Sequence, residues 1–194
     1  MDNNIVKFTA IIICLAIAVS SKQHVLGRRD HILLCLAMFG TVAADFFLVV
    51  LFVYPPGLLF FCAVQTLYAA RFGGGKALRA APAVVILPIM YFAWTGDLLI
   101  TLALAYAQMF LLSYGCMVRA FVRKKYPGPN NWLILSGMTL FVMCDVSVAI
   151  WNLWRMGVIE SETAGRLAES AIWLFYAPSQ VCLALSARRF TKRA

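Results

Sequence analysis

Two carboxylates stand inside apolar stretches of the chain. Asp145 lies near the middle of the run from Asn131 to Trp154, and Asp45 lies within the run from 31 to 53. An ionisable group at membrane depth costs about 2.5 to 3.5 kcal/mol on insertion scales and survives mainly where it faces a bundle interior or a wet cavity. Two carboxyl groups in a low-dielectric pocket resist ionising together, which leaves one as an acid and the other as a base at neutral pH. Such a pair suits hydrolysis of an acid-labile ether or acetal-like bond, with one carboxyl protonating the substrate and the other activating water. It equally suits proton-coupled transport, in which intramembrane acids relay protons.

Other polar residues fall at a similar depth when counted along each helix at about 1.5 Å per residue. Asp45 is nine residues before Tyr54, and Asp145 is nine before Trp154. Gln65, Tyr106 and Gln180 fall near the same level from the ends of their own runs. Tyr176 and Gln180 share a face by i, i+4 spacing, as do Thr41 and Asp45, while Gln65 and Tyr68 are related by i, i+3. These groups are expected to line one pocket. The competing reading is interhelical hydrogen-bond glue, worth about 0.6 kcal/mol per contact, and for Gln65, Gln108 and Thr41 it stands on an equal footing. Lys7 is expected either to snorkel to the interface or to pair with one of the acids.

The elements that must hold these residues follow from composition. Of 194 residues, 63% are hydrophobic and 13% charged, with a mean hydropathy of +0.84, which places the chain among integral membrane proteins. A bilayer core about 30 Å thick needs about 20 apolar residues per helix, so the length allows one all-α bundle, a single domain over 1–194, without a separate soluble unit. Seven spans are expected, near 5–21, 31–53, 57–71, 80–93, 98–120, 131–154 and 170–187. The polar segment 155–169 reads as an exposed loop or short surface helix.

The net charge of +9 suggests a nucleic-acid partner only until the basic residues are located. Of 17 Lys and Arg, all but Lys7, Arg155 and Arg166 sit in the first, third and fifth loops and the tail. The positive-inside rule then puts the N-terminus outside and the C-terminus in the cytoplasm, in a multi-pass protein of the plasma membrane with no nucleic-acid partner.

Several chemistries are excluded. The six cysteines form no CxxC pair, and His24 and His31 lie far from the acidic layer, so no metal site or disulfide framework is expected. No GxSxG occurs, and Gly73-Gly74-Gly75 lacks the GK[ST] of a phosphate loop. The last span has no lysine for a retinal Schiff base, and no cofactor is expected.

Five stretches in order resemble one family. They are Met38 to Val50 (MFGTVAADFFLVV), Phe61 to Phe72 (FCAVQTLYAARF), Ala105 to Met117, Gly137 to Leu153 (GMTLFVMCDVSVAIWNL) and Phe175 to Ser186 (FYAPSQVCLALS). Together with Lys7-Phe8-Thr9 they are similar to the YhhN-like family, the lysoplasmalogenases. The chain departs from the family pattern at Ala44, Cys144 and Gln65, where glycine, serine and histidine are usual, and many members have eight spans. The resemblance implies hydrolysis of the vinyl-ether bond of a lysophospholipid-type amphiphile among membrane lipids. It carries over Asp45 and Asp145 as catalytic acid and base, and the polar residues grouped with them, Gln65, Tyr68, Tyr106, Tyr176, Gln180 and Lys7, are expected to bind or orient substrate.

Overall fold

A computed structural model describes residues 3–21 and 26–190. Lys22, His24, Lys192 and Arg193, which the charge pattern and the metal argument used, lie outside the described residues.

Among the described residues the chain is helical throughout, in the order α1 (Asn3–Ser20), α2 (Arg28–Asp45), α3 (Tyr54–Gly73), α4 (Gly75–Val84), α5 (Ile86–Thr95), α6 (Leu98–Val122), α7 (Gly128–Arg155) and α8 (Glu162–Leu185). A π-helical turn, Phe46–Val50, prolongs α2. Four rods are long and apolar enough to cross a membrane: Arg28–Val50, Gly75–Thr95, Leu98–Val122 and Gly128–Arg155. The apolar stretch of α1, Asn4–Ser20, is shorter, while α3 and α8 have the length but carry more polar residues.

The breaks follow from local chemistry. Pro88 has no N–H for the carbonyl of Val84 and its ring crowds that turn, so the rod Gly75–Thr95 is interrupted at Val85 and described as α4 and α5. Within the glycine triplet Gly74 needs a glycine for its backbone, at φ +67°, and Gly73, which closes α3, needs one for space, since a Cβ there would come within 2.8 Å of the Ala77 Cβ; Gly75 opens α4. The expected start of span four at residue 80 is therefore five residues late. Asp97 caps α6 by accepting from the Ile100 N–H at 3.0 Å.

The segment 155–169 differs more from its expectation. The Ser161 side chain caps the Ala164 N–H, Glu162 occupies the first turn, and Glu162 pairs with Arg166 at 2.6 Å, so α8 begins at Glu162. Capping and i, i+4 pairing outweigh the polarity that reads as a loop. Gly165 lets this first stretch lie against Trp154, whose indole a Cβ would strike. Further along the same interface a Cβ on Gly137 would come within 2.8 Å of the Leu183 side chain, so α7 and α8 approach closely through small residues.

Packing places α3 between α2 and α6, and α1 against α2 and α8. The interior is filled by Leu34, Met38, Phe61, Tyr68, Phe141 and Leu183 among others. One end of the bundle gathers the start of α2, the ends of α3 and α6, the start of α7 and the end of α8. Asn130 donates to the carbonyls of Ser186 and Arg188, the Leu26 N–H donates to Ala187, and Lys125 donates to Arg71 and Phe72. Arg28, Arg29, Arg71, Lys125 and Arg189 meet there around one cleft, so the described basic loops share an end.

Candidate active site among the helices

Asp45 is the last α-helical residue of α2, at the junction with the π-helical turn. A π turn carries an extra residue and re-aims what precedes it, and such turns are frequent at functional sites. Its presence also corrects the depth count, since the rod ends at Val50 and not at Tyr54, about 7 Å beyond Asp45 at 1.5 Å per residue. Asp45 is 3% exposed, and its Oδ2 accepts from the Tyr176 hydroxyl of α8 at 2.7 Å.

Asp145, half-buried on α7, forms the matching pair. Its Oδ2 accepts from the Tyr106 hydroxyl of α6 at 2.6 Å. Among the described residues the other oxygen of each carboxyl has no side-chain partner, and no hydrogen bond joins the two acids. Cys144, next to Asp145, lies near both carboxyls. An aromatic relay links the pairs: Tyr106 packs on Phe61 (5.6 Å between centroids), Phe61 on Phe141 (6.1 Å) and Phe141 on Tyr176 (5.8 Å). The acids thus share a layer walled by rings.

Two buried amides belong to the same region. Gln65 is fully buried, close to the Tyr106 hydroxyl, and its Oε1 lies 2.6 Å from the Ser113 hydroxyl. Ser113 also lies 2.9 Å from the Phe110 carbonyl, and one hydroxyl proton serves only one of these acceptors. The Gln65 Nε2 and the Gln180 Oε1 are buried without a partner among the described residues. Among the described residues Gln180 Nε2 reaches only the Ser179 hydroxyl, at 3.4 Å. Buried amides in this state are suited to a guest molecule or water.

The remaining expected residues separate. Lys7 does not pair with either aspartate; its ammonium lies 4.9 Å from the Trp173 ring centroid, with Glu169 as the nearby acid. Trp173 packs edge-on against Tyr176 at 5.3 Å, so Lys7 joins the rim of the layer. Tyr68 is not part of it. Its hydroxyl donates to Met38 Sδ at 3.6 Å and its ring stacks on Phe72, toward the basic end. The i, i+3 spacing from Gln65 spans enough axial rise to put Tyr68 in the next packing layer. Thr41 donates to its own helix at Ala37, and Tyr114 meets Thr139 across α6 and α7 at 3.3 Å.

Sequence reasoning missed the Trp173 and Glu169 rim, whose i, i+4 spacing continues the face of Tyr176. It also missed the ion pair at the basic end, where Arg71 donates from Nε and Nη2 to Asp30 at 3.0 and 2.9 Å. The available signal was Asp30 itself, an acid directly following Arg28 and Arg29.

An all-helical, apolar bundle with two carboxyl–tyrosine pairs between its helices is the architecture of a membrane protein. Residues 3–187 match the YhhN family, and the chain belongs to that family. No curated protein and no solved structure matches it.

Proposed function

We propose that this protein is a membrane-embedded hydrolase that cleaves the vinyl-ether bond of lysoplasmalogens to a fatty aldehyde and a glycerophospho-base. Family membership supports the reading. The observation that carries it is the pair of Asp–Tyr contacts, each fixing one carboxyl oxygen and leaving the other without a side-chain partner.

One carboxylic acid gives its proton to the vinyl carbon remote from oxygen, and the double-bond electrons form the new C–H bond. The adjacent carbon becomes an oxocarbenium centre. Water adds there while the second carboxyl, as carboxylate, takes the water's proton. The resulting hemiacetal breaks its bond to the glycerol oxygen, which leaves as a hydroxyl, and the aldehyde departs. Proton and water are both accounted for, and no cofactor takes part.

In this reading Asp45 and Asp145 are acid and base, Tyr106 and Tyr176 hold them, and Gln65 and Gln180 orient water or substrate. Lys7 at the rim meets the substrate phosphate. Tyr68 takes no such part. The bundle sits in the cytoplasmic membrane as seven spans, with the N-terminus outside and the basic end in the cytoplasm.

The test is aldehyde release from lysoplasmalogen by the purified protein. Turnover that disappears in Asp45→Asn and in Asp145→Asn, with both variants folded, supports the hydrolase. Absence of aldehyde from every vinyl-ether lysolipid, with the wild type folded, assigns the bundle instead to lipid or solute binding or proton-coupled transport.

A further inference from the structure

At the opposite end from the tyrosine-held acids, a cleft of about 730 Å³ opens between the start of α2, the end of α3 and the turn between α6 and α7. Five basic side chains line it, Arg28, Arg29, Arg71, Lys125 and Arg189, against a single acid, Asp30. That acid is already engaged. Asp30 receives two hydrogen bonds from Arg71 and a third, at 2.7 Å, from the Tyr126 hydroxyl. One of the five positive charges is therefore balanced, and Arg28, Arg29, Lys125 and Arg189 face the cleft without a described acid of their own.

Arg71 adds a second observation. Its side chain is fully buried, yet its Nη1 has no hydrogen-bond partner among the described residues. A buried guanidinium N–H without an acceptor is costly, more so because the group is charged. Lys125 stands at the same cleft. Burial lowers its pKa from the ordinary lysine value, Asp30 opposes that only in part, and its Nζ is occupied by the carbonyls of Arg71 and Phe72. Leu26, Leu33 and Phe190 supply an apolar wall beside these charges.

We infer that this cleft is a phosphate-binding site, taking the phosphate of an anionic lipid headgroup or a free phosphate ion. Arginine forks match phosphate oxygens two at a time, and the tetrahedral anion presents enough acceptors for several cations at once. The apolar wall is where a lipid's glycerol and first methylenes lie.

The site is tested on the full chain in neutral detergent, with short-chain phosphatidate, short-chain phosphatidylcholine and inorganic phosphate as probes. Saturable binding of phosphatidate over phosphatidylcholine is expected. In Arg28→Gln/Arg29→Gln/Arg189→Gln, all exposed positions, it falls by about tenfold or more, as lost charge-assisted hydrogen bonds require. Inorganic phosphate binding as tightly as phosphatidate assigns the site to the free ion; phosphatidate alone assigns it to lipid. Failure of phosphatidate and of inorganic phosphate to bind, an unchanged affinity in the folded triple variant, or an equal loss in the charge-matched Lys76→Gln/Arg79→Gln/Arg123→Gln control overturns the proposal.

Discussion

The Tyr176 hydroxyl and Asp45 Oδ2 lie 2.7 Å apart although 131 residues separate them in the chain. Tyr106 repeats the relationship with Asp145 at 2.6 Å. The two contacts join α8 to α2 and α6 to α7, so the same hydrogen bonds that hold the acids also tie four helices together.

Tyr176→Phe and Tyr106→Phe keep the ring packing on Phe141 and Phe61 but remove the hydroxyls. Loss of the tyrosine that holds the carboxylate is expected to lower kcat by about tenfold to a hundredfold, as about 1.5 to 3 kcal/mol of hydrogen bonding to a charged group requires, and loss of the one that holds the neutral acid by about twofold to tenfold, with little change in KM. Steady-state kinetics on a vinyl-ether lysolipid check this; unchanged kcat in both variants removes the tyrosines from the reaction.

Protonation at carbon leaves an isotopic record. Turnover in D₂O should place one solvent deuteron on the carbon next to the aldehyde, as required by the proposed proton transfer to the vinyl group. Mass spectrometry of the trapped aldehyde reads the label, and unlabelled aldehyde rules out this route.

The Asp30–Arg71 pair predicts a stability effect unconnected with turnover. Asp30→Asn leaves a fully buried guanidinium without its counter-charge and is expected to destabilise the fold by about 3 to 5 kcal/mol. Asp30→Asn combined with Arg71→Met removes both charges and should recover much of the loss. Chemical unfolding in detergent distinguishes the variants, and a single variant as stable as the wild type contradicts the prediction.

Gly137 faces Leu183 with no room for a side chain. Gly137→Val is expected to push α7 and α8 apart at a cost of about 1 to 3 kcal/mol, the usual penalty of overpacking. Gly115, with open space where a Cβ would stand, is the control, and Gly115→Ala should be neutral or slightly stabilising. Thermal unfolding of the pair measures the contrast.

Apolar runs, prolines, glycines and the clustering of basic residues were enough to give an all-helical apolar bundle and to single out Asp45 and Asp145, because burial cost acts on residue type and can be read one run at a time. Family likeness was legible for the same reason, through ordered short stretches. Partnerships were not. Periodicity relates residues on one helix, so it grouped Tyr68 with Gln65, whereas packing against α2 turned the Tyr68 hydroxyl to Met38. The pairing of Asp45 with Tyr176, the π turn after Asp45, the seat of Lys7 on Trp173 and the Asp30–Arg71 ion pair depend on how separate helices rotate and approach. Those rotations are set by side-chain volumes meeting across interfaces such as Gly137 against Leu183, a property of two surfaces together that neither helix carries in its own sequence.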